Sequence, residues 1–438
     1  MRKRSLVLAS AVLMSAAMCW VEVSAQPASA PAGKEPDLTL ALALQIAESN
    51  NATLRATQAQ LDAAHGARRE ARSPLYNNPQ VSIDRTRRDV PQAGLPTDRR
   101  WEWGAGITQA LEIAGQQGLR RDIAGASLTA VQEDIEATRR DVRAEVAQKF
   151  FRVLGLQQRI TVEEQAVRLF EGTANAVQKR RAAGEDTKLD ANLAAVESER
   201  AHNQLAMLQE QRDDAAAELG VAMQAASRIL PKVTGDLERG LDAGLPNVDD
   251  LLATASSQPR LRSLTARVDS ARSKLGLERA GRYPDVTVGV NVGREGSMDA
   301  RERLTTLSVS LPLPVFRRND AAIGQASTDL TQAQIEREAA RRDLDSQVRV
   351  LWYRLQSLKQ RVQRLKGSVL PTLADNEQLS LKSQRAGEIG LLELIVVNRQ
   401  TLDARRDLID ALVDFQTTRI ALEHAAGRVP AEDQGTQP

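Results

Sequence analysis

Few residues in this chain could carry covalent or metal chemistry. The three histidines, His65, His202 and His424, stand far apart, and the single cysteine is Cys19. No H-x-x-x-H, C-x-x-C, G-x-S-x-G, phosphate-binding loop or strand-borne G-x-G-x-x-G occurs. Acid pairs such as Glu163-Glu164 and Asp213-Asp214 lie on runs dense in Arg and Lys. They read most simply as solvated helix faces with i,i+4 pairs, and the histidines as helix-surface residues. Two acids in matching settings remain. RAAGEDTKLD (181–190) and QRAGEIGLLE (384–393) both contain Ala-Gly-Glu, with a carboxylate six residues after the glycine, Asp190 or Glu393. Acids at such positions act through charge and not through bond making. The plainer alternative is a helix N-terminal acid that answers the macrodipole.

Long helical patterns flank both stretches, and the pattern repeats. EATRRDVRAEVAQKFFRVLGLQQRI from Glu136 matches EAARRDLDSQVRVLWYRLQSLKQRV from Glu338 at an offset of 202. Upstream, Leu54-Arg55, Asp62 and Tyr76 match Leu261-Arg262, Asp269 and Tyr283 at 207. Ordered matches with a slowly drifting offset indicate duplication with loop changes. Repeat 1 spans 38–224 and repeat 2 spans 247–427, joined by a Gly- and Pro-rich connector over 225–246. Residues 26–37 and 428–438 read as flexible tails.

Residues 1–25 read as a signal peptide. Arg2, Lys3 and Arg4 precede an apolar run from Leu6 to Met18, and Val23-Ser24-Ala25 offers a cleavage site. Acylation of Cys19 is the alternative, disfavoured by the bulky Met18 before it. Removing Arg2, Lys3, Arg4 and Glu22 takes away the whole formal charge of +2, so the basic pI carries no nucleic-acid signal. The mature chain then lacks thiols, which excludes disulfides and thiolate metal sites. No cofactor is expected.

Within each repeat, two strand patterns follow an initial helical stretch. Val286, Val288, Val290 and Val292 alternate with polar or small residues, as do Leu307, Val309 and Leu311. Strands are expected at about 80–88, 100–110, 285–293 and 303–312. Their lengths suit the ~9–11 residues of a tilted membrane-crossing strand. Tyr76, Trp101, Trp103 and Tyr283 fall at or near strand ends, where an aromatic girdle would lie. A small soluble sheet has the same period. If the strands cross a membrane, four cannot close a barrel, whereas three chains would supply twelve.

Helical hairpins are expected over 116–222 and 318–426. Residues 116–182 contain no proline and 320–385 only Pro371. Each run would extend ~100 Å as a helix. Leu344, Val348, Leu351, Leu355, Leu358, Val362, Leu365 and Val369 step by four and three, a heptad seam. Leu394, Val397, Thr401, Ala404, Leu408, Ala411 and Phe415 keep the same rhythm on the returning helix. Such a seam suits a solvated coiled-coil rod or the wall of a water-filled tube.

The chain resembles the TolC-like outer-membrane efflux proteins over 38–427, and within them the outer-membrane subunit of cobalt–zinc–cadmium-type heavy-metal RND systems. LTLALALQIAESNNATLRA, SPLYNNPQVSI, QALEIAGQQGLRR, VSLPLPVFRRNDAAI and RAGEIGLLELIVVNRQTLDARRDLIDALVDF carry the resemblance. It implies a mainly α fold with a transmembrane β-barrel part. A homotrimer would form a 12-stranded barrel in the outer membrane of a Gram-negative bacterium, continued by a periplasmic α-helical barrel. It implies a passive duct and not an enzyme, joined through a periplasmic adaptor to an inner-membrane RND pump. Arg181, Gly184, Glu185, Gln384, Gly387 and Glu388 match the periplasmic tips that meet the adaptor. Glu393 matches a carboxylate ringing the closed entrance, and Asp190 one that tethers neighbouring helices. Val396 occupies the second ring position, which places a double acidic ring in doubt.

Overall fold

The computed structural model describes residues 37–225, 232–296, 301–386 and 388–428. The signal segment, Cys19, most of both tails, residues 226–231 of the connector and Gly387 lie outside the described residues.

Each half begins with two helices, α1 (Leu40–Asn50) and α2 (Ala52–Ala71), then α5 (Val248–Ala255) and α6 (Pro259–Ala280). Asn51 both ends α1 and starts α2, where its side chain accepts the Leu54 N–H at 3.0 Å. Strands β1 (Gln80–Gln92) and β2 (Leu95–Leu111) follow in the first half, β3 (Val286–Glu295) and β4 (Glu302–Ser310) in the second. All four form one antiparallel sheet in the order β1-β2-β3-β4. The duplicated strands thus complete one sheet, leaving β1 and β4 as its edges.

The first hairpin is longer than the sequence pattern suggests, and Trp101 and Trp103 stand inside β2 instead of at its end. On one face Glu102 bonds Arg88 at 3.1 Å and Arg100 at 2.9 Å, while Arg100 reaches Asp98 at 3.2 Å. The Arg88–Glu102 pair crosses from β1 to β2, the other two run along β2, and together they support the ladder past the tryptophans.

The long helices follow: α3 (Gln116–Ala182) and α4 (Lys188–Met223), then α7 (Asp320–Arg364), a π-helical turn (Leu365–Val369), α8 (Leu370–Arg385) and α9 (Leu391–Ala425). The second rising run is therefore not one unbroken α-helix. Pro371 has no N–H to bond backwards and its ring crowds the preceding turn, so the backbone widens just ahead of it.

The heptad seam packs as its spacing predicts up to the π-helical turn, where Val369 is exposed. Val348, Leu355, Leu358 and Val362 of α7 are buried, as are Leu394, Thr401, Ala404, Ala411 and Phe415 of α9. Of these, Val348, Leu355, Leu358, Val362, Ala411 and Phe415 join Phe150 and Val153 of α3 and Leu219 of α4 in the main core. Burying a side chain such as Phe150 or Phe415 contributes ~1.5–3 kcal/mol. The connector is strapped across this core. Val233, Leu237 and Leu241 are buried in it, Lys232 O accepts the Leu38 N–H, and Trp352 donates to Pro246 O at 2.9 Å. No described helix is long and apolar enough to cross a membrane.

Candidate functional site

The two helix-to-helix turns close in the same way. Glu185 N–H donates to Arg180 O at 2.9 Å, and Glu388 N–H to Ser383 O at 2.9 Å. This wide closure answers the last carbonyls of α3 and α8. Gly184 takes φ +82°, the left-handed conformation such a closure needs. Arg181, Glu185 and Glu388 are exposed and Gln384 is half-buried.

Both acids sit three residues after a helix N-cap. Asp190 forms a full capping box: Thr187 Oγ1 accepts the Asp190 N–H at 3.1 Å, and Asp190 Oδ2 accepts the Thr187 N–H at 3.2 Å. The Thr187 hydroxyl also donates to Asp190 Oδ2 at 2.6 Å. Glu393 forms half of such a box, accepting the Gly390 N–H at 2.9 Å. Gly390 has no side chain to answer. Glu393 stays exposed while Asp190 is half-buried. Each acid is bonded within its own turn. The two turns nevertheless meet, because Leu391 of α9 packs against Val177 of α3 and Ala191 and Ala194 of α4.

Behind the turns α9 is tied to the first hairpin by ion pairs. Arg399 grips Glu197 of α4, its Nε at 2.9 Å. Arg406 holds Glu163 of α3 through Nε at 2.6 Å and Nη2 at 2.7 Å. Glu163 is fully buried, so it is not the solvated helix face its charged surroundings suggest. The seam of α9 draws this face of α3 inward, and Arg406 supplies the countercharge. Hydrogen bonding to Glu163 holds the Arg406 guanidinium above its ordinary pKa, outweighing partial burial. The histidines sit on helix surfaces, with His202 bonded to Glu171 at 2.9 Å and His424 to Asp141 at 2.8 Å. Among the described residues no group of three His, Cys, Asp or Glu could hold a metal ion.

The sheet separates two faces. One carries Val81, Ile83, Trp101, Trp103, Ile107, Val290, Val292, Leu307 and Val309, all exposed, with Ile83 81% accessible. The other carries Ser82, Asp84, Thr108, Asn291, Thr306 and Ser308, by register. This polar face is the crowded one. A Cβ on Gly106 would lie 1.8 Å from Asn291 Oδ1, and one on Gly289 2.6 Å from Ser308 Oγ. Crowding on one face and openness on the other is the relation between the inside and outside of a curving sheet. Tyr76 and Tyr283 precede β1 and β3 at the helix end of the sheet, the tryptophans lie toward the far end, and the apolar rows fall between.

The model of the outer membrane efflux protein family matches residues 43–235 and 252–428. The chain belongs to that family. This efflux protein is 26% identical over 402 residues to the cobalt-zinc-cadmium resistance protein CzcC of Cupriavidus metallidurans, covering 89% of this chain and 90% of that one. It is 25% identical over 313 residues to the pyoverdine export outer membrane protein OpmQ of Pseudomonas putida, covering 67% and 65% of the two chains. The solved channel CusC superposes with a TM-score of 0.75 at 18% identity, over 89% of this chain and 92% of that one. The efflux protein therefore has the TolC-like fold and serves as an outer-membrane exit duct, with its helices forming a large periplasmic part. Its apolar sheet face meets lipid and its polar face looks into the lumen. Because the helices are periplasmic, the β1–β2 and β3–β4 turns point to the exterior.

Proposed function

We propose that three copies of this chain form the duct of a tripartite efflux system that exports heavy-metal cations. The observation that carries this reading is the four-stranded sheet with a lipid-suited face and two unpaired edges. Open edges cannot face hydrocarbon, and four strands cannot close alone. Three sheets joined edge to edge give twelve strands and remove every edge. A periplasmic adaptor then meets the tips at Arg181, Gly184, Glu185, Gln384, Gly387 and Glu388, and links the duct to a proton-driven RND pump.

Glu393 rings the closed entrance in this reading, and Asp190 stands at the same depth as the more firmly held acid. Three carboxylates near one axis repel one another and enrich cations. The lumenal face of the outer strands supports a cationic cargo. It carries Asp84, Asp98, Glu102, Glu295 and Glu302 against Arg88 and Arg100. The similarity to a cobalt-zinc-cadmium resistance protein points the same way. Selection of the ion belongs to the pump, because the mature duct offers no thiolate and few imidazoles.

The mass of the detergent-purified protein tests the assembly, with a trimer expected and a monomer sinking it. In planar bilayers the trimer should show low resting conductance, and Glu393→Ala should raise it or alter cation selectivity. Unchanged zinc, cobalt and cadmium tolerance after gene deletion would favour the second reading, export of organic compounds. The similarity to a pyoverdine export protein is the observation behind that alternative.

A further inference from the structure

The lipid-facing side of the sheet ends, toward the exterior, in arginine. Four residues at one height are joined strand to strand by register: Arg85 opposite Trp103, Trp103 opposite Arg294, and Arg294 opposite Arg303. The row just inside it is Ile83, Ala105, Val292 and Thr305, and the next is Val81, Ile107, Val290 and Leu307. The polarity changes within one row, from hydrocarbon-suited to cationic. Beyond it on the same face lie Arg87 opposite Trp101 and Asp89 opposite Arg99.

The two faces of this outer section are charged oppositely. The lipid side holds Arg85, Arg87, Arg99, Arg294 and Arg303 with Asp89 as the one acid among the described residues, a net of +4 per chain. The lumenal side holds five acids and two arginines, a net of −3. Lumenal Arg88 and Arg100 are neutralised by Glu102 and Asp98. On the lipid side only Arg87 has an ion pair among the described residues, with Asp89 at 3.4 Å. Arg85 and Arg294 lie on indole rings instead, 4.4 Å from the Trp101 centroid and 5.8 Å from that of Trp103.

Such an arrangement is unfavourable unless something anionic completes it. Arg294 and Arg303 are like charges directly opposite each other on neighbouring strands, a destabilising pair. Both are exposed, as are Arg85 and Trp103. The occupant has to come from the membrane, because this face continues the lipid-facing band without a break. It has to be anionic and to offer two oxygens at once to a planar guanidinium fork, as a phosphate does. Strands lie ~4.8 Å apart, so Arg85 and Arg294 stand ~10 Å apart across Trp103. Two cationic positions flanking one aromatic ring fit a headgroup with two phosphates on a sugar body.

We propose that Arg85, Trp103, Arg294 and Arg303 seat the bis-phosphorylated headgroup of an outer-leaflet glycolipid. Its phosphates lie between the guanidinium groups and its sugar lies over the indole. The bound lipid fixes the depth of the barrel and relieves the repulsion between Arg294 and Arg303. This site rests on the outer-membrane location and the sheet register, and stands whichever substrate the duct carries.

The test titrates the intact detergent-purified protein with bis-phosphorylated lipid A, its monophosphorylated form and phosphatidylglycerol, read by native mass spectrometry. Bis-phosphorylated lipid A should be held tightest. R294Q/R303Q should weaken it about tenfold or more and bring it level with the monophosphorylated form. R88Q, on the lumenal face, should leave the ranking unchanged. If R294Q/R303Q does not assemble, R85Q decides, and a several-fold loss of the bis-phosphorylated lipid alone is expected. Equal retention by wild type and the rim variants, or phosphatidylglycerol held as tightly as lipid A, overturns the proposal.

Discussion

The two hairpin tips start from the same sequence stretch and end up held differently. At the first, Thr187 and Asp190 bond each other's backbone, and Arg180 reaches Asp186 at 3.0 Å and Glu185 at 3.6 Å. At the second, Gly390 stands where Thr187 would be, so Glu393 makes its backbone bond without a reciprocal one. The arms behind the tips differ in the same sense. The end of α3 buries Phe170 and Val177, whereas α8 has no buried residue among those whose side chains are described. A segment with few buried contacts opens locally at lower cost. The second turn is the looser because Gly390 offers no hydroxyl to the cap and the apolar residues of α8, such as Leu379, are not buried.

This contrast can be broken first at its hinge, the buried one of the pairs that tie the looser hairpin to the firmer one. Arg406→Ala strands the buried Glu163 carboxylate and should cost ~3–5 kcal/mol. Chemical denaturation of the detergent-purified protein measures this. A loss below ~1 kcal/mol would mean that apolar packing and the Arg399–Glu197 pair join the hairpins without it.

Next comes Gly184→Ala. Open space surrounds the position, so the cost is the left-handed backbone alone, ~1–2 kcal/mol. Amide exchange near the first turn should quicken accordingly, while the second turn stays unchanged.

A smaller effect separates the caps themselves. Thr187→Ala should loosen the first turn of α4 by ~1 kcal/mol. Glu393→Gln keeps an acceptor and loses only charge at a helix N-terminus, so a few tenths of a kcal/mol, up to ~1, is expected. Equal loosening of α4 and α9 in exchange experiments would erase the distinction drawn here between the turns.

Much of this architecture was legible because periodicity survives in one dimension. The four-three stepping from Leu344 to Val362 marked a packed seam, and the alternating valines of β3 marked a two-faced strand. The cap role of Asp190 and Glu393 was readable from their distance to the turn glycines. The burial of Glu163 was not, because a paired buried acid and a solvated one have the same charged neighbours in sequence. Arg406 lies 243 residues away, and only the packing of α9 on α3 names it as the partner. The arginine row was hidden for a related reason. Arg85, Arg294 and Arg303 become neighbours through strand register, which local pattern does not specify.

The sequence by itself determined the duplication, the kinds of element and which face of each is apolar. These follow from side-chain type and repeat period, which act locally. Tertiary structure alone decided which distant charges are brought together: Glu163 with Arg406, Glu197 with Arg399, and Arg85 with Arg294 in one row across Trp103. Those meetings depend on register and on how helices lie against each other. Both are set by the sum of many small packing contributions, and no short segment of the chain contains that sum.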